Sequence, residues 1–158
     1  LKANPLELEG RLGKLLARQK DLEREIDGLK GKIASRDSSS LIDSAVEVGG
    51  IKIIATAVPA PDAKSLRDAG DRLRDKLGSG VICLGNAADG KALLLCMVTK
   101  DLVGRYHAGN IIKEIAPLVG GKGGGRPDMA QAGGSKPEGL NEAFRAFKKI
   151  IETSEKNT

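Results

Sequence analysis

The sequence has no tryptophan and few other aromatic residues. Its 158 residues include one tyrosine and two phenylalanines, Tyr106, Phe144 and Phe147. RNA-binding folds that stack successive bases on aromatic side chains need a richer supply of them. Any contact with RNA is therefore expected to use the backbone and charged side chains instead.

Histidine and cysteine are scarce as well. His107 is the single histidine, and Cys83 and Cys96 lie in apolar runs without the CxxC or CxxH spacing of a zinc site. We expect both cysteines to be buried, reduced thiols of a cytosolic protein. A Ser-His-Asp arrangement would need the same histidine, and the GxSxG sequence that positions a nucleophile is absent. The sequence predicts that His107 caps a helix or lies at the surface, with ligand contact as the alternative.

Long apolar runs and a leader pattern are also missing. No run reaches the roughly 20 residues that span a bilayer, and the chain begins LKANPLELEG without an initiator methionine. We expect a cytoplasmic piece of a longer protein, with any catalytic site elsewhere in that protein. The net charge of +5, from 26 basic and 21 acidic residues, permits an anionic partner without requiring one.

A heptad pattern of apolar residues marks the first part of the chain. Apolar residues recur at alternating steps of four and three, with Gln19 at one central position. This pattern predicts a coiled-coil segment over residues 1–36 and a polar linker at 37–44. A single seam cannot bury itself, so we expect pairing with another helix; a solvated spacer helix is the alternative. The seam residues are Leu8, Leu12, Leu15, Leu22, Ile26, Leu29 and Ile33.

The remainder, residues 45–158, has the patterns of a small globular domain. Short apolar runs alternate with amphipathic stretches, and glycine pairs and prolines separate them. The sequence predicts an α/β (α+β) fold, in which a mixed sheet of about four to five strands is packed by helices. Strands are predicted at 45–48, 51–58, 81–85 and 91–99, and helices at 62–78, within 107–121 and at 140–152.

Residues 85–92, GNAADGKA, nearly match the phosphate-binding motif GxxxxGK[ST]. Ala92 replaces the hydroxyl residue that would hold Mg²⁺. The apolar run ALLLCMV follows where a helix N-terminus should face the phosphates. We therefore predict a hairpin turn here rather than a nucleotide-hydrolysing site.

The segment GGKGGGRPDMAQAGG, residues 120–134, holds seven glycines. Consecutive glycines can point several backbone N–H groups at one anion and let a partner approach the main chain closely. Pro127 predicts the first turn of a short helix through DMAQA, ended by Gly133, whose N-terminus would favour phosphate. Lys122 and Arg126 add positive charge. A plain flexible loop is the alternative.

This segment closely resembles the signature of the C-terminal domain of alanyl-tRNA synthetases, a fold also attached to DHH-type phosphoesterases. The resemblance covers the whole chain and implies a module that binds the elbow of tRNA. Phosphoesterase relatives have histidine after the glycine triplet where this chain has Arg126, which favours the synthetase branch. The resemblance assigns RNA contact to Lys122, Gly123, Gly124, Gly125, Arg126, Pro127 and Asp128, and nearness to the segment adds Asn110 and Lys113.

The resemblance also implies partners and cofactors. The parent protein would be an alanine–tRNA ligase whose upstream domains use ATP, Mg²⁺ and an editing-site Zn²⁺, while this chain by itself needs no cofactor and is not an enzyme. Expected partners are alanine-specific tRNA, those upstream domains and a second copy of the heptad helix, with no membrane. Two alternatives are an accessory nucleotide-binding domain of a DHH-type phosphoesterase and a dimerisation module.

Overall fold

The computed structural model describes the backbone of residues 5–157 and the side chains of residues 5–29 and 40–157. Its first element is one long helix, α1 (Pro5–Asp43). The chain divides into two compact units between Asp37 and Ser38, so the division falls inside this helix. Residues 37–44, predicted as a linker, are thus helical as far as Asp43. Leu41 and Ile42 pack into the core of the second unit, and such tertiary contacts override weak helix propensity.

The second unit, residues 38–157, is built on a mixed sheet. Within the described residues the sheet has six strands in the order β1-β2-β3-β4-β6-β5, and only the β2–β3 pair is parallel. The predicted α+β fold is confirmed, with more strands than the predicted four to five. The strands are β1 (Val46–Val48), β2 (Ile51–Ala57), β3 (Gly80–Ala88), β4 (Lys91–Val98), β5 (Gly121–Gly125) and β6 (Met129–Gly134).

Three further helices begin and end near the predicted residues. They are α2 (Ala63–Leu77), α3 (Ala108–Ile115) and α4 (Leu140–Lys156), with 3₁₀ turns at Ala116–Val119 and Pro137–Gly139. Asp62 caps α2 by accepting a hydrogen bond from the Ser65 backbone N–H at 2.7 Å. The predicted cap Gly78 ends the helix with φ 76°, a conformation that glycine adopts without strain.

The helices cover the two faces of the sheet unequally. Helices α3 and α4 pack on one face, where Phe147 and Ile151 are fully buried, and α2 packs on the other with Leu66 and Leu73. Because α2 lies mainly on β3 and β4, no helix of the described chain covers the β6–β5 end on that face. There Gln131 is half-buried and Gly133 is exposed.

The two cysteines lie opposite each other on β3 and β4. Cys83 and Cys96 are cross-strand partners, fully buried and free, as the sequence predicts. Burial raises the pKa of the Cys83 thiol to about 12 and also raises the pKa of Cys96, because a thiolate would lose its hydration. Both side chains therefore act as small apolar groups of the core.

A cluster around Glu155 holds the loop that leads into α3. The Arg105 guanidinium contacts the Glu155 carboxylate at 2.8 Å, and the Tyr106 hydroxyl donates a hydrogen bond to the same group. Burial and this hydrogen bond raise the pKa of Tyr106 to about 12. The cluster links α4 to the residues just before His107 and so fixes where α3 begins.

Candidate nucleic-acid interface

The glycine-rich segment forms an antiparallel hairpin, β5–β6. Gly123 pairs with Ala132 and Gly125 with Ala130, and the Arg126 N–H donates to the Met129 carbonyl at 2.8 Å across the turn. The short helix predicted after Pro127 is therefore wrong. Ala130 and Ala132 are buried while Met129 and Gln131 are half-buried, so DMAQA alternates with the period of a strand.

Two backbone hydrogen bonds fix the turn of this hairpin to its neighbours. The Val98 N–H donates to the Asp128 carbonyl, and the Ala108 N–H donates to the Pro127 carbonyl, both at 2.9 Å. The first bond ties the turn to the end of β4, and the second ties it to the start of α3. The predicted helix N-terminus behind Pro127, with its anion site, does not exist, and the turn is instead attached to the fold by these two bonds.

The glycines of β5 fall into two groups by the space around them. A Cβ on Gly123 would come within 2.5 Å of the Gln131 carbonyl oxygen, and a Cβ on Gly125 would come within 2.5 Å of the Met129 oxygen. At Gly124 the nearest atom would be Lys113 Cε, at 3.8 Å. The fold therefore requires glycine at the first two positions, whereas at Gly124 it leaves the space open.

Within residues 5–157, strand β5 is the last strand in the sheet order and pairs only with β6. On its outer side, backbone N–H and C=O groups face away from the sheet, where another molecule can reach them. Proteins usually protect such an edge with charged side chains, proline or a covering segment. The sequence GKGGG offers a single lysine for that purpose. Helix α3 packs beside the Gly125 end, where a Cβ on Gly109 would lie 2.7 Å from Gly125 O, so the bare part of this edge is the stretch around Gly124.

Positive side chains surround the bare edge. Lys122 and Arg126 are exposed, and Lys113 of α3 lies beside Gly124. Arg126 forms a loose ion pair with Asp128, 3.7 Å between Nε and Oδ1, and the two side chains are 70% and 42% exposed. Such a pair contributes little to stability, and Arg126 can exchange it for a phosphate.

The remaining predicted contact residues have different positions. Asn110 is exposed in the first turn of α3, one turn before Lys113 on the same side of the helix. Asp128 contributes its carbonyl to the fold and its carboxylate to Arg126. His107 caps α3, since its Nδ1 accepts from the Asn110 N–H at 3.3 Å, which confirms the capping prediction.

A family model described as the DHHA1 domain matches residues 50–153, which include the hairpin, α2, α3 and most of α4. The chain belongs to the DHHA1 domain family. Among curated proteins, it is 51% identical over 146 residues to the alanine–tRNA ligase of Desulfosudis oleivorans. It is 47% identical over 152 residues to the alanine–tRNA ligase of Chromohalobacter salexigens. These matches cover 92% and 96% of the chain but 17% and 18% of the two relatives.

Solved structures agree with this family. The C-Ala domain of Aquifex aeolicus alanyl-tRNA synthetase matches with a TM-score of 0.63 and 27% identity, over 68% of this chain and 97% of that one. A DHH-domain protein described as a member of a family of ribosomal proteins shares the fold, with a TM-score of 0.51 and 15% identity over 84% of this chain and 32% of that one. The resemblance to the C-terminal domain of alanyl-tRNA synthetases is thus confirmed.

The heptad residues of α1 are exposed in this DHHA1-containing chain. Their exposed fractions run from 47% at Leu8 to 64% at Leu15, and Gln19 donates to Glu23 at 3.3 Å along the helix. The side chain of Ile33 lies outside the described residues. The other seam residues, Leu12, Leu22, Ile26 and Leu29, are also exposed.

The described residues show neither a membrane span nor a metal cluster. No helix there is both long and apolar enough to cross a membrane. In the same part of the chain, no group of three His, Cys, Asp or Glu side chains could hold a metal ion.

The prediction from sequence missed Gln131 and Gly133 of the DHHA1 domain. Gln131 was assigned to the short helix and Gly133 to its end, but in β6 they lie on the uncovered face of the sheet, opposite Gly124 and Lys122 of β5. The alternation of small and larger residues in MAQAG was the signal of a strand. This signal of a strand is weak because alanine and glycine are not typical strand residues.

Proposed function

We propose that this DHHA1 domain binds tRNA through the outer edge of β5 and the adjoining turn, as the C-terminal part of an alanine–tRNA ligase. The bare glycine edge carries the proposal, because Gly124 leaves space beside Lys113, and Lys122 and Arg126 are exposed two residues away on either side of it. Names of the relatives described above supply the class of RNA, and they favour the ligase over the phosphoesterase alternative.

The contact is expected to recognise the shape and position of the RNA. A glycine strand without side chains lets a sugar-phosphate backbone or an exposed base pair reach the main chain. Lys122 and Arg126 then bind phosphates, which position an RNA without reading its sequence. The elbow of a folded tRNA is the proposed target, as the resemblance to the C-terminal domain of alanyl-tRNA synthetases implies.

In the parent protein the DHHA1 domain would serve as a tether. Amino-acid activation with ATP and Mg²⁺, and editing with Zn²⁺, would take place in upstream domains of a cytoplasmic ligase, and this chain would contribute no catalytic group. Holding the elbow raises the effective concentration of the acceptor end at those centres. The tether thus lets one tRNA pass between synthesis and editing without release.

Replacing Lys122 with alanine should make tRNA binding less dependent on salt. The unchanged chain is expected to neutralise on the order of two to four phosphates, and loss of one lysine should lower the salt slope by about 1. The measurement is the affinity for folded alanine tRNA at several salt concentrations. Lys52→Ala, an exposed lysine on β2, is the control and should leave the slope unchanged. Equal salt slopes for Lys122→Ala and Lys52→Ala would show that Lys122 does not contact the RNA.

We also propose that the α1 seam forms a homodimer. Six apolar seam side chains between Leu8 and Leu29 are exposed at steps of three, four and seven residues. A stripe with this period packs well against a second helix in a coiled coil. A dimer would present two glycine hairpins, one on each chain.

Replacing Leu22 with glutamate should convert this dimer to a monomer, because a charge would enter the centre of an apolar seam. Analytical ultracentrifugation at several concentrations gives the mass. Ala17→Glu places the same charge away from the seam and should leave the dimer intact. A monomer at every concentration for the unchanged chain would contradict the proposal.

A further inference from the structure

A groove of about 210 Å³ lies on the face of the sheet that α2 covers only in part. The first turn of α2, with Ala63 and Leu66, forms one wall, and β4 contributes Leu93. The other side consists of Gln131 and Gly133 from β6 and of Lys122 from β5. Pockets for drug-sized ligands start at about 300 Å³, so this volume fits one smaller group.

The lining of the groove is mainly apolar. Gly133 contributes only backbone, and a Cβ added there would find Ala92 O and Leu93 Cδ2 no closer than 4.0 Å. Leu93 is half-buried beside Gly133, and Leu66 also lines the groove, although its side chain is only 1% exposed. A planar ring can lie on such a surface, and proteins hold unstacked bases between apolar as well as aromatic side chains.

Two polar side chains of the groove have no partner within the described chain. Neither the Gln131 amide nor the Lys122 ammonium forms a hydrogen bond or ion pair there. Gln131 is half-buried, and because its amide has no hydrogen-bond partner within the described chain it is available to a ligand. Lys122 is exposed at the rim, where it can reach a phosphate attached to a bound base.

The groove is continuous with the proposed RNA-binding edge. Lys122 faces Gly133 across the hairpin, and Gly124 faces Gln131. An RNA chain lying along β5 would therefore pass within one strand spacing of the groove, about 4.8 Å. This continuity favours a nucleotide of the same RNA over an unrelated ligand.

We infer that the groove binds one unpaired adenine base of the RNA, with Gln131 as the residue that determines base preference. The inference rests on the proposed function. The glutamine amide has one acceptor and two donors, and it pairs in bidentate fashion with the N6 and N7 atoms of adenine. The ring lies over Gly133 and against Leu93, and Lys122 binds the adjoining phosphate.

The test compares binding of short oligoadenylate and oligouridylate of equal length. The unchanged chain should bind oligoadenylate about fivefold more tightly, the lower end of what a bidentate pair contributes. Gln131→Leu should reduce this ratio to near unity while leaving the affinity for oligouridylate almost unchanged. Lys122→Ala should weaken both RNAs equally. In methyl NMR spectra, oligoadenylate should shift the resonances of Leu66 and Leu93.

A second variant blocks the groove physically. Gly133→Leu has space for its side chain, because nothing lies nearer than 4.0 Å to its Cβ, and it should remove both the preference and the methyl shifts. Circular dichroism verifies that each variant is folded. Three results would each overturn the inference. They are equal affinities of the unchanged chain for the two RNAs, binding of neither RNA, and a ratio of the two affinities that Gln131→Leu leaves unchanged.

The assignment of adenine to the groove and the proposed binding of tRNA are tested by different assays. Disrupting the elbow contacts of the tRNA should weaken binding of folded tRNA, whereas the ratio of the two oligonucleotide affinities depends on the groove alone. If the unchanged chain binds folded tRNA but shows no base preference, the groove assignment is wrong and the tRNA proposal stands. Absence of tRNA binding with a retained adenine preference would contradict the proposed function instead.

Discussion

Replacing Gly124 with glutamate is expected to weaken binding of folded alanine tRNA by about 30-fold, which corresponds to about 2 kcal/mol. The new carboxylate would stand at the bare edge of β5, repel phosphates and attract Lys113, whose Cε lies 3.8 Å from the Cβ position. Both effects weaken the contact between this edge of β5 and the RNA phosphates. The measurement is equilibrium binding at fixed salt.

This substitution should leave the fold intact. The backbone of Gly124 is not among the positions with positive φ, and only Lys113 Cε lies within 4 Å of an added Cβ. Gly124→Ala is the matched control, since it adds a methyl group without a charge, and it should reduce affinity only slightly. A Gly124→Glu variant that is folded and binds as well as the unchanged chain would show that the RNA does not contact this edge.

Replacing Gly123 with alanine is expected to lower the free energy of unfolding by about 2–3 kcal/mol. The added methyl group would lie within 2.5 Å of the Gln131 carbonyl oxygen and against Ala132, so the hairpin must separate or twist. Separation would disturb β6, whose Ala130 and Ala132 are part of the core. Chemical denaturation followed by circular dichroism measures this loss.

Gly124→Ala, one residue further along the strand, is again the matched control. Its methyl group meets open space, and alanine restricts the unfolded chain, so stability should change by less than about 1 kcal/mol, in the stabilising direction. Equal destabilisation by the two variants would contradict the division of β5 into glycines that the fold requires and a glycine that it does not.

Much of the fold can be predicted from local signals in the sequence. Asp62 and Gly78 bound α2 as their residue types suggest, because capping depends on neighbouring backbone groups alone. The Gly49-Gly50 turn joins two strands, and Asp89-Gly90 turns between β3 and β4 with positive φ at both residues. Each of these features is decided within a few residues.

The glycine hairpin could not be predicted in the same way. Glycine and alanine have weak strand preference, and β6 forms because Ala130 pairs with Cys96 of β4, far away in the sequence. The helical end of α1 likewise depends on Leu41 and Ile42 reaching a core that forms later in the chain. Long-range pairing and packing decide both elements.

The residues of the candidate site also divide into those that the local sequence identifies and those that only the fold identifies. Lys122, Gly124 and Arg126 can be selected by residue type, and Lys113 by its nearness in sequence. Only the fold shows that Lys113 lies beside Gly124, and only the hairpin register places Gln131 opposite that glycine. A residue whose role depends on its position across a strand pair is not visible in the order of the sequence.

The most direct measurement of the central claim compares folded alanine tRNA with a tRNA whose elbow contacts are disrupted, at one salt concentration. If the DHHA1 domain binds the elbow, the disrupted tRNA should bind the unchanged chain much more weakly, and as weakly as the intact tRNA binds Gly124→Glu. Equal binding of the two RNAs would contradict the assignment of the elbow to the glycine edge.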